Sequence, residues 1–433
     1  MTGMEVPRLP HPAGVIGALV GSTIALAPGS LPREVSVHAA LLGACLLLGA
    51  GIGSVVGRLP VDRAADPAAD RDRRVRVVGI AAVLFTGMVL ANLWWQDTLR
   101  TGLDQPGVGL GWIAASFAPV ALYAAVVAAP GLTSVAVVTA AAAIAGLAPA
   151  SADPQDTDVI RAGMSRAEAF ATSDATATSL RLYSPLDGRT AERRATDLVD
   201  RWSSAGGARR AAVVVAVPTG SGWVDPDAVR GFEERLGGDV SVIALQYSDI
   251  PSWRAFVSGS DTARTGAIAV TAALTRAVGR LPTAARPQVY LYGQSLGAIG
   301  ADAAREWAAT RAAEVSVCAT VLAGAPAGTV APQASRRVVL ANASDPVVRW
   351  SPRLLWRPPT RSTARADLPR PVWFPVAGFI QASTDLLGAL SFPAGHGHQY
   401  GAEQGTTAPL CPTRTGVDQT SGPRAASYAA PTR

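Results

Sequence analysis

Val289-Tyr-Leu-Tyr-Gly293-Gln-Ser295-Leu-Gly297-Ala-Ile-Gly300 is the stretch on which the reading of this chain turns. Val-Tyr-Leu-Tyr has the composition of a buried strand, and the Ala-rich run after Gly297 reads as a helix. Gly-x-Ser-x-Gly therefore sits between a strand and a helix, the setting of a nucleophile elbow. There the serine occupies a strained backbone position and its hydroxyl projects above the sheet. Gly293 and Gly297 let the neighbouring strand and helix pack closely around the turn. The amide of Leu296, at the start of the helix, points where an oxyanion would form.

Outward from the elbow, short β-branched runs alternate with amphipathic helical segments. Strands are predicted at Leu180–Tyr183, Ala211–Val217, Val240–Gln246, Gln288–Tyr292, Val315–Ala323, Arg337–Asn342 and Val372–Val376. Helices are predicted at Thr190–Trp202, Asp225–Leu236, Asp261–Arg280 and Leu296–Ala312, with a helical segment at Phe379–Leu390. Such alternation argues for an α/β fold, a doubly wound and mostly parallel sheet with helices on both faces. The domain is bounded at residues 180–401. Residues 151–179 read as a polar linker and 402–433 as a flexible tail rich in Pro, Thr, Ser and Gly.

A serine hydroxyl needs a base to take its proton and an acid to orient that base. The chain has four histidines, and His11 and His38 fall in its N-terminal region. That leaves His396 and His398, in the Gly-rich loop Pro393–Gly401. His398 is preferred as the base, with His396 as the alternate. The acid should end a strand between Ser295 and these histidines, and Asp345, followed by Pro346, does so. Asp385 is the runner-up, and a solvated carboxylate is the alternative reading of Asp302, Glu306, Glu314, Asp367, Asp385 and Asp345 alike. A second oxyanion donor is expected in the turn after Ala211–Val217, at Thr219, Gly220 or Ser221; Pro218 has no N–H to give. Two histidines at i, i+2 without nearby acidic or thiol ligands make a poor metal site. No metal and no cofactor is expected.

The N-terminal part has a different character. The chain is 49% hydrophobic and 16% charged, with a mean hydropathy of +0.24. Most of the apolar excess lies in residues 1–150, in stretches at Ala13–Pro28, Val35–Val56, Val77–Trp95, Val108–Ala129 and Leu132–Ala150. They lack a polar face at helical period, so they read as four or five membrane spans rather than soluble helices. The Arg58–Arg76 loop carries six arginines and is assigned to the cytoplasm. Five spans would leave the rest of the chain outside the cytoplasm; four would leave it inside. The net charge of +6 comes entirely from arginine, without dense Arg runs interleaved with aromatics, which argues against nucleic-acid binding. The cysteines have no paired metal spacing. Cys318 reads as a buried free thiol within a strand, although a bridge to Cys411 is open to a domain outside the cytoplasm.

Five motifs in order now carry a resemblance. They are Pro-Thr-Gly-Ser-Gly-Trp-Val-Asp-Pro (218–226), Leu-Gln-Tyr-Ser-Asp-Ile-Pro-Ser-Trp (245–253), the Ser295 elbow, Ala-Ser-Asp-Pro-Val-Val (343–348) and Gly-His-Gly-His-Gln-Tyr (395–400). With the span layout, the chain resembles the actinobacterial membrane-anchored α/β-hydrolases, long described as a domain of unknown function. The resemblance covers most of residues 13–401; the tail after Gly401 departs from the family's ending. It implies a serine hydrolase with Ser295, Asp345 and one of the two late histidines as its triad, and it gives no substrate.

The expected activity is hydrolysis of carboxylic esters of lipid-like molecules through an acyl-enzyme. Trp223, Trp253, Trp350, Trp356 and Trp373 are candidates to line an apolar acyl pocket near the lipid bilayer. An acyl acceptor other than water would make the same site an acyltransferase. A different class also stays open, a membrane transport or scaffold protein with a hydrolase-like binding domain.

Overall fold

A computed structural model of the chain describes residues 10–58, 67–128, 170, 179–250, 261–311, 315–360 and 364–412. The fifth apolar stretch Leu132–Ala150, nearly all of the 151–179 linker, Trp253, Glu314 and residues 413–433 of the tail lie outside the described residues.

Four apolar segments form helices: α1 (Pro12–Leu26), α2 (Val35–Val56), α3 (Pro67–Thr101) and α4 (Leu110–Ala128). Helices α1 and α2 lie antiparallel, and glycine sets how closely they approach. A Cβ on Gly17 would stand 2.0 Å from the Gly49 carbonyl oxygen, and one on Gly21 only 1.9 Å from that of Cys45. Two helices, Val35–Val56 and Ala68–Thr101, are long and apolar enough to cross a membrane; Pro12–Leu26 and Leu110–Ala125 are shorter apolar helices. The Arg-rich segment differs from the sequence expectation. Helix α3 begins at Pro67, so Arg71 to Arg76 ride its first turns instead of a loop. Proline suits a first helical position, and an Asp70–Arg74 pair at i, i+4 supports the turn.

The C-terminal part is a six-stranded parallel sheet, β1 (Leu180–Ser184), β2 (Ala212–Val217), β3 (Val240–Leu245), β4 (Gln288–Gln294), β5 (Val317–Ala323) and β6 (Arg337–Leu340). The strands lie in the order β1-β3-β2-β4-β5-β6. Every pairing is parallel. The helices α5 (Ala191–Ser204), α6 (Pro226–Arg235), α7 (Asp261–Gly279) and α8 (Leu296–Thr310) fill the crossovers. Central strands covered on both faces need no polar alternation. Accordingly β2 and β3 are buried along their whole length. One core joins α5, α7 and α8 to the sheet through Leu198, Trp202, Leu274 and Leu291. The other, under α6, is built around Phe232, Tyr290 and Tyr292.

Three expectations fail in the last third of the chain. Val372–Val376 is no strand. Pro371 and Pro375 lack the N–H groups a ladder needs, and the segment runs irregularly into helix α9 (Ala377–Asp385). Nor is the tail loose from residue 402. Helix α10 (Glu403–Thr406) packs on α6 so closely that a Cβ on Gly405 would lie 2.0 Å from the Phe232 nitrogen. Beyond it Cys411 is disulfide-bonded to Cys318 of β5, 93 residues away, so Cys318 is not a free thiol. Closing a loop of that size removes on the order of 4 kcal/mol of unfolded-chain entropy.

Candidate active site

Strand order reverses between β2 and β4: the chain steps from β2 outward to β3, then returns to β4 on the other side. Crevices at such a switch point, outside the carboxyl ends of the strands, are where open α/β sheets bind ligands. The turn after β2 and Ser295 after β4 both lie there.

Ser295 has φ 56° and ψ −124°, a left-handed backbone that a side-chain-bearing residue adopts only under constraint. The constraint is the packing around it. A Cβ on Gly293 would lie 2.1 Å from the Gly297 oxygen, and one on Gly297 would lie 2.3 Å from that of Val217. The elbow is thus wedged between β2 and its own helix, and only glycine fits on either side. The Ser295 amide donates to the Ala323 carbonyl of β5 at 2.9 Å, and Ser295 is 8% exposed. As the residue before α8, it leaves the first amides of that helix, beginning with Leu296, at the site's floor.

Asp345 and His398 come together at the same end of the sheet. Nδ1 of His398 stands 2.8 Å from Oδ2 of Asp345, whose side chain is fully buried. The Tyr400 hydroxyl donates to the same carboxylate oxygen at 2.7 Å, and the Val347 amide donates to the other at 2.8 Å. Burial, with the negative Asp345 beside it, holds the Tyr400 phenol well above its ordinary value, so it remains a donor. The His398 ring packs against Gly324, where a Cβ would lie 2.6 Å from its Cε1. Gly324 directly follows Ala323, the residue bonded to the Ser295 amide, so the imidazole and the elbow flank one point of β5.

The loop carrying His398 is held by residues that sequence reasoning passed over. Asn342 donates through Nδ2 to the Gly397 and Gln399 carbonyls, each at 3.0 Å. The Gly397 amide donates to the Ser344 hydroxyl at 2.7 Å, and that hydroxyl in turn bonds Asp367. His396 faces Asp367 at 3.4 Å, not Asp345. Of the two histidines, only His398 shares hydrogen-bond distance with the strand-ending acid. Asp367 is a buried partner of the histidine loop rather than a solvated carboxylate. Asp385, the runner-up acid, lies elsewhere, bonded to Ser30 in the α1–α2 connection. Asp302 pairs with Arg305 and Arg337.

In the turn after β2 the Thr219 amide donates to the Trp223 carbonyl at 2.8 Å, which removes it as an oxyanion donor and narrows the expectation to Gly220 or Ser221. The four described candidate tryptophans have separate surroundings rather than one shared pocket. Trp350 stacks on Phe379, and Trp373 donates to the Leu354 carbonyl at 3.0 Å. Trp356 is exposed, and Trp223 belongs to the turn. Among the described residues no cluster of three or more metal-binding side chains occurs.

The model of a family described as an alpha/beta-hydrolase family matches residues 180–334 and 328–408. No curated protein and no solved structure matches the chain.

Proposed function

From the premise that the chain belongs to this alpha/beta-hydrolase family, we propose that it is a membrane-anchored serine hydrolase cleaving carboxylic esters of lipid-like molecules. The observation that carries this reading is the 2.8 Å contact between His398 and buried Asp345 beside a Ser295 held at positive φ. With Nδ1 engaged by Asp345, Nε2 of His398 is the atom that takes the Ser295 proton as the hydroxyl attacks the ester carbonyl. The developing oxyanion is met by the Leu296 amide and by Gly220 or Ser221. His398 then returns its proton to the leaving alkoxide, and water, activated the same way, releases the acyl group. Asp345 keeps the imidazole in the required tautomer.

Contacts support an extracytoplasmic side for this domain. The α1–α2 connection reaches it through Ser30 and Asp385, and Leu99 and Leu103 near the end of α3 pack on Leu368. The Arg-bearing start of α3 is at the opposite end of that helix, the end the positive-inside rule assigns to the cytoplasm. The Cys318–Cys411 disulfide suits an oxidising compartment. This arrangement requires one further crossing between Ala128 and Leu180, which the apolar stretch Leu132–Ala150 is long enough to supply.

A fluorophosphonate probe tests the enzyme reading on the full chain. Wild type should be labelled, Ser295→Ala should not, and turnover of a short-chain ester should fall by at least about 10³-fold in that variant. An unlabelled wild type, or equal labelling of both, overturns it.

A further inference from the structure

Between the proposed catalytic acid at 345 and base at 398 the chain makes an excursion with no strand among its described residues. The part from Arg349 to Val376 contains six arginines and three tryptophans against a single acidic residue, Asp367. Leu354 and Leu368 are buried, but other apolar side chains of the segment are not. Trp356 is 59% exposed, Val372 67%, Phe374 50% and Val376 43%. Arg353 and Arg357 are exposed beside them. Val376, β-branched yet at φ 64°, holds the segment in a conformation that costs about 1–3 kcal/mol. A water-facing loop gains nothing from such a display.

The location of this face says what covers it. Gln381, in the helix that ends the excursion, donates to the Ile24 carbonyl at 2.6 Å and the Ala25 carbonyl at 3.3 Å, at the end of α1. Val372 and Trp373 share a cavity with Pro28 and Gly29, the residues immediately after α1. The exposed face therefore lies level with the terminus of an apolar helix, where a bilayer would pass from hydrocarbon to headgroups. Tryptophan and phenylalanine beside arginine are the side chains that such a zone favours.

We propose that this face dips into an anionic phospholipid surface, so that the catalytic domain itself, and not only its anchor, reads the bilayer. The inference rests on the membrane-anchored reading above and deepens it: the segment joining the proposed acid to the base touches lipid, and the ester enters from the membrane. Arginines at the rim pair with phosphodiester headgroups while Trp356, Val372 and Phe374 sit among the glycerol and upper acyl groups.

Nitroxide labels report the depth. Phe374→Cys, Leu48→Cys and Glu234→Cys are each made in a Cys45→Ala full-length chain in phosphatidylglycerol nanodiscs. Each label's relaxation by dissolved oxygen is compared with that by an aqueous nickel chelate. The expected result is an oxygen-to-nickel ratio at 374 at least about threefold above that at 234, approaching that at 48 on the outer face of α2. A ratio at 374 equal to that at 234, with 48 still lipid-like, overturns the proposal and leaves the anchor standing. Aqueous ratios at both 48 and 374 overturn the anchor and the proposal together. Shielding of 374 from both reagents means that protein covers the face, which also overturns it.

Discussion

In the sheet, Val214, Tyr290 and Leu291 are fully buried, and the polar faces of α5 and α6 look outward. In α2 the order is reversed: Leu48 and Ile52 stand 66% and 65% exposed, while Gly49 and Gly53 meet the backbone of α1. The sheet domain is organised by removing large apolar groups from water. On the membrane-anchored reading proposed above, the helical domain gains nothing by turning Leu48 and Ile52 inward, since lipid is as apolar as leucine. It gains from close backbone approach and from hydrogen bonds to groups that nothing outside would satisfy. Arg33, Asn92 and Gln96 accordingly sit inside, with Asn92 donating to the Leu26 carbonyl at 3.0 Å.

The contrast breaks first if glycine in the helical domain can be enlarged. In Gly21→Leu the new side chain would begin 1.9 Å from the Cys45 carbonyl, a backbone atom that cannot step aside. The pair α1–α2 must separate, at a cost of at least about 4 kcal/mol. Gly51, in α2, has no atom within 4 Å of its would-be Cβ. Gly51→Leu should therefore melt within about 0.5 kcal/mol of wild type in detergent. Equal melting of the two variants would mean that glycine does not set the helix spacing.

The second effect concerns the seam between the regions. Asp385 accepts from the Ser30 amide and hydroxyl at 2.6 and 2.7 Å and lies 3.7 Å from Arg33, both side chains being nearly inaccessible. Burial lowers the pKa of Arg33, and Asp385 acts against that. Asp385→Asn leaves the guanidinium buried without its counter-charge, so thermal unfolding should register a loss of about 3 kcal/mol. Combining it with Arg33→Met should recover part of that loss, because the stranded charge is gone. Because Asp385 ends the helix that precedes the His398 loop, esterase turnover should fall in the single variant more than in the pair.

The elbow, the strand-ending acid and the parallel sheet were legible because each is written in neighbouring residues. Gly293, Ser295 and Gly297 specify one turn whatever the rest of the chain does. The preference for His398 over His396 had no local basis, since two histidines in one Gly-rich loop carry no mark of their partners. Asp367, some thirty residues away, takes one of them, and Ser344 bonds the Gly397 amide between them. The same limit left the Cys318–Cys411 bridge as the lesser alternative to a free thiol, because it joins a strand to a segment whose composition reads as a tail. Val372–Val376 misled for another reason: its Val, Trp and Phe have strand composition, but Pro371 and Pro375 lack the N–H groups a ladder needs.

The smallest expected effect contrasts two buried acids. Asp385 has a cation beside it; Asp225, which caps α6, has hydrogen-bond donors, among them the Gln404 side-chain amide at 2.6 Å and the Asp227 amide at 2.9 Å, and a like charge in Asp227. Burial, only partly offset by these bonds, pushes Asp225 up from 3.8 to about 6. Between those values the folded chain holds a proton that the unfolded chain has released. Stability must therefore fall as pH rises through this window and stay lower above it, by about 2 to 3 kcal/mol. Asp225→Asn keeps the shape of the protonated acid, and Gln404 can turn its amide to keep a bond with the Tyr292 hydroxyl, now 2.7 Å from Oε1. The variant should match wild type near pH 4 and exceed it at pH 8 in thermal melts. If the slope between pH 4 and 7 persists in Asp225→Asn, the proton belongs to another group, and the cap beside the turn after β2 is not where this domain bears the cost of a buried charge.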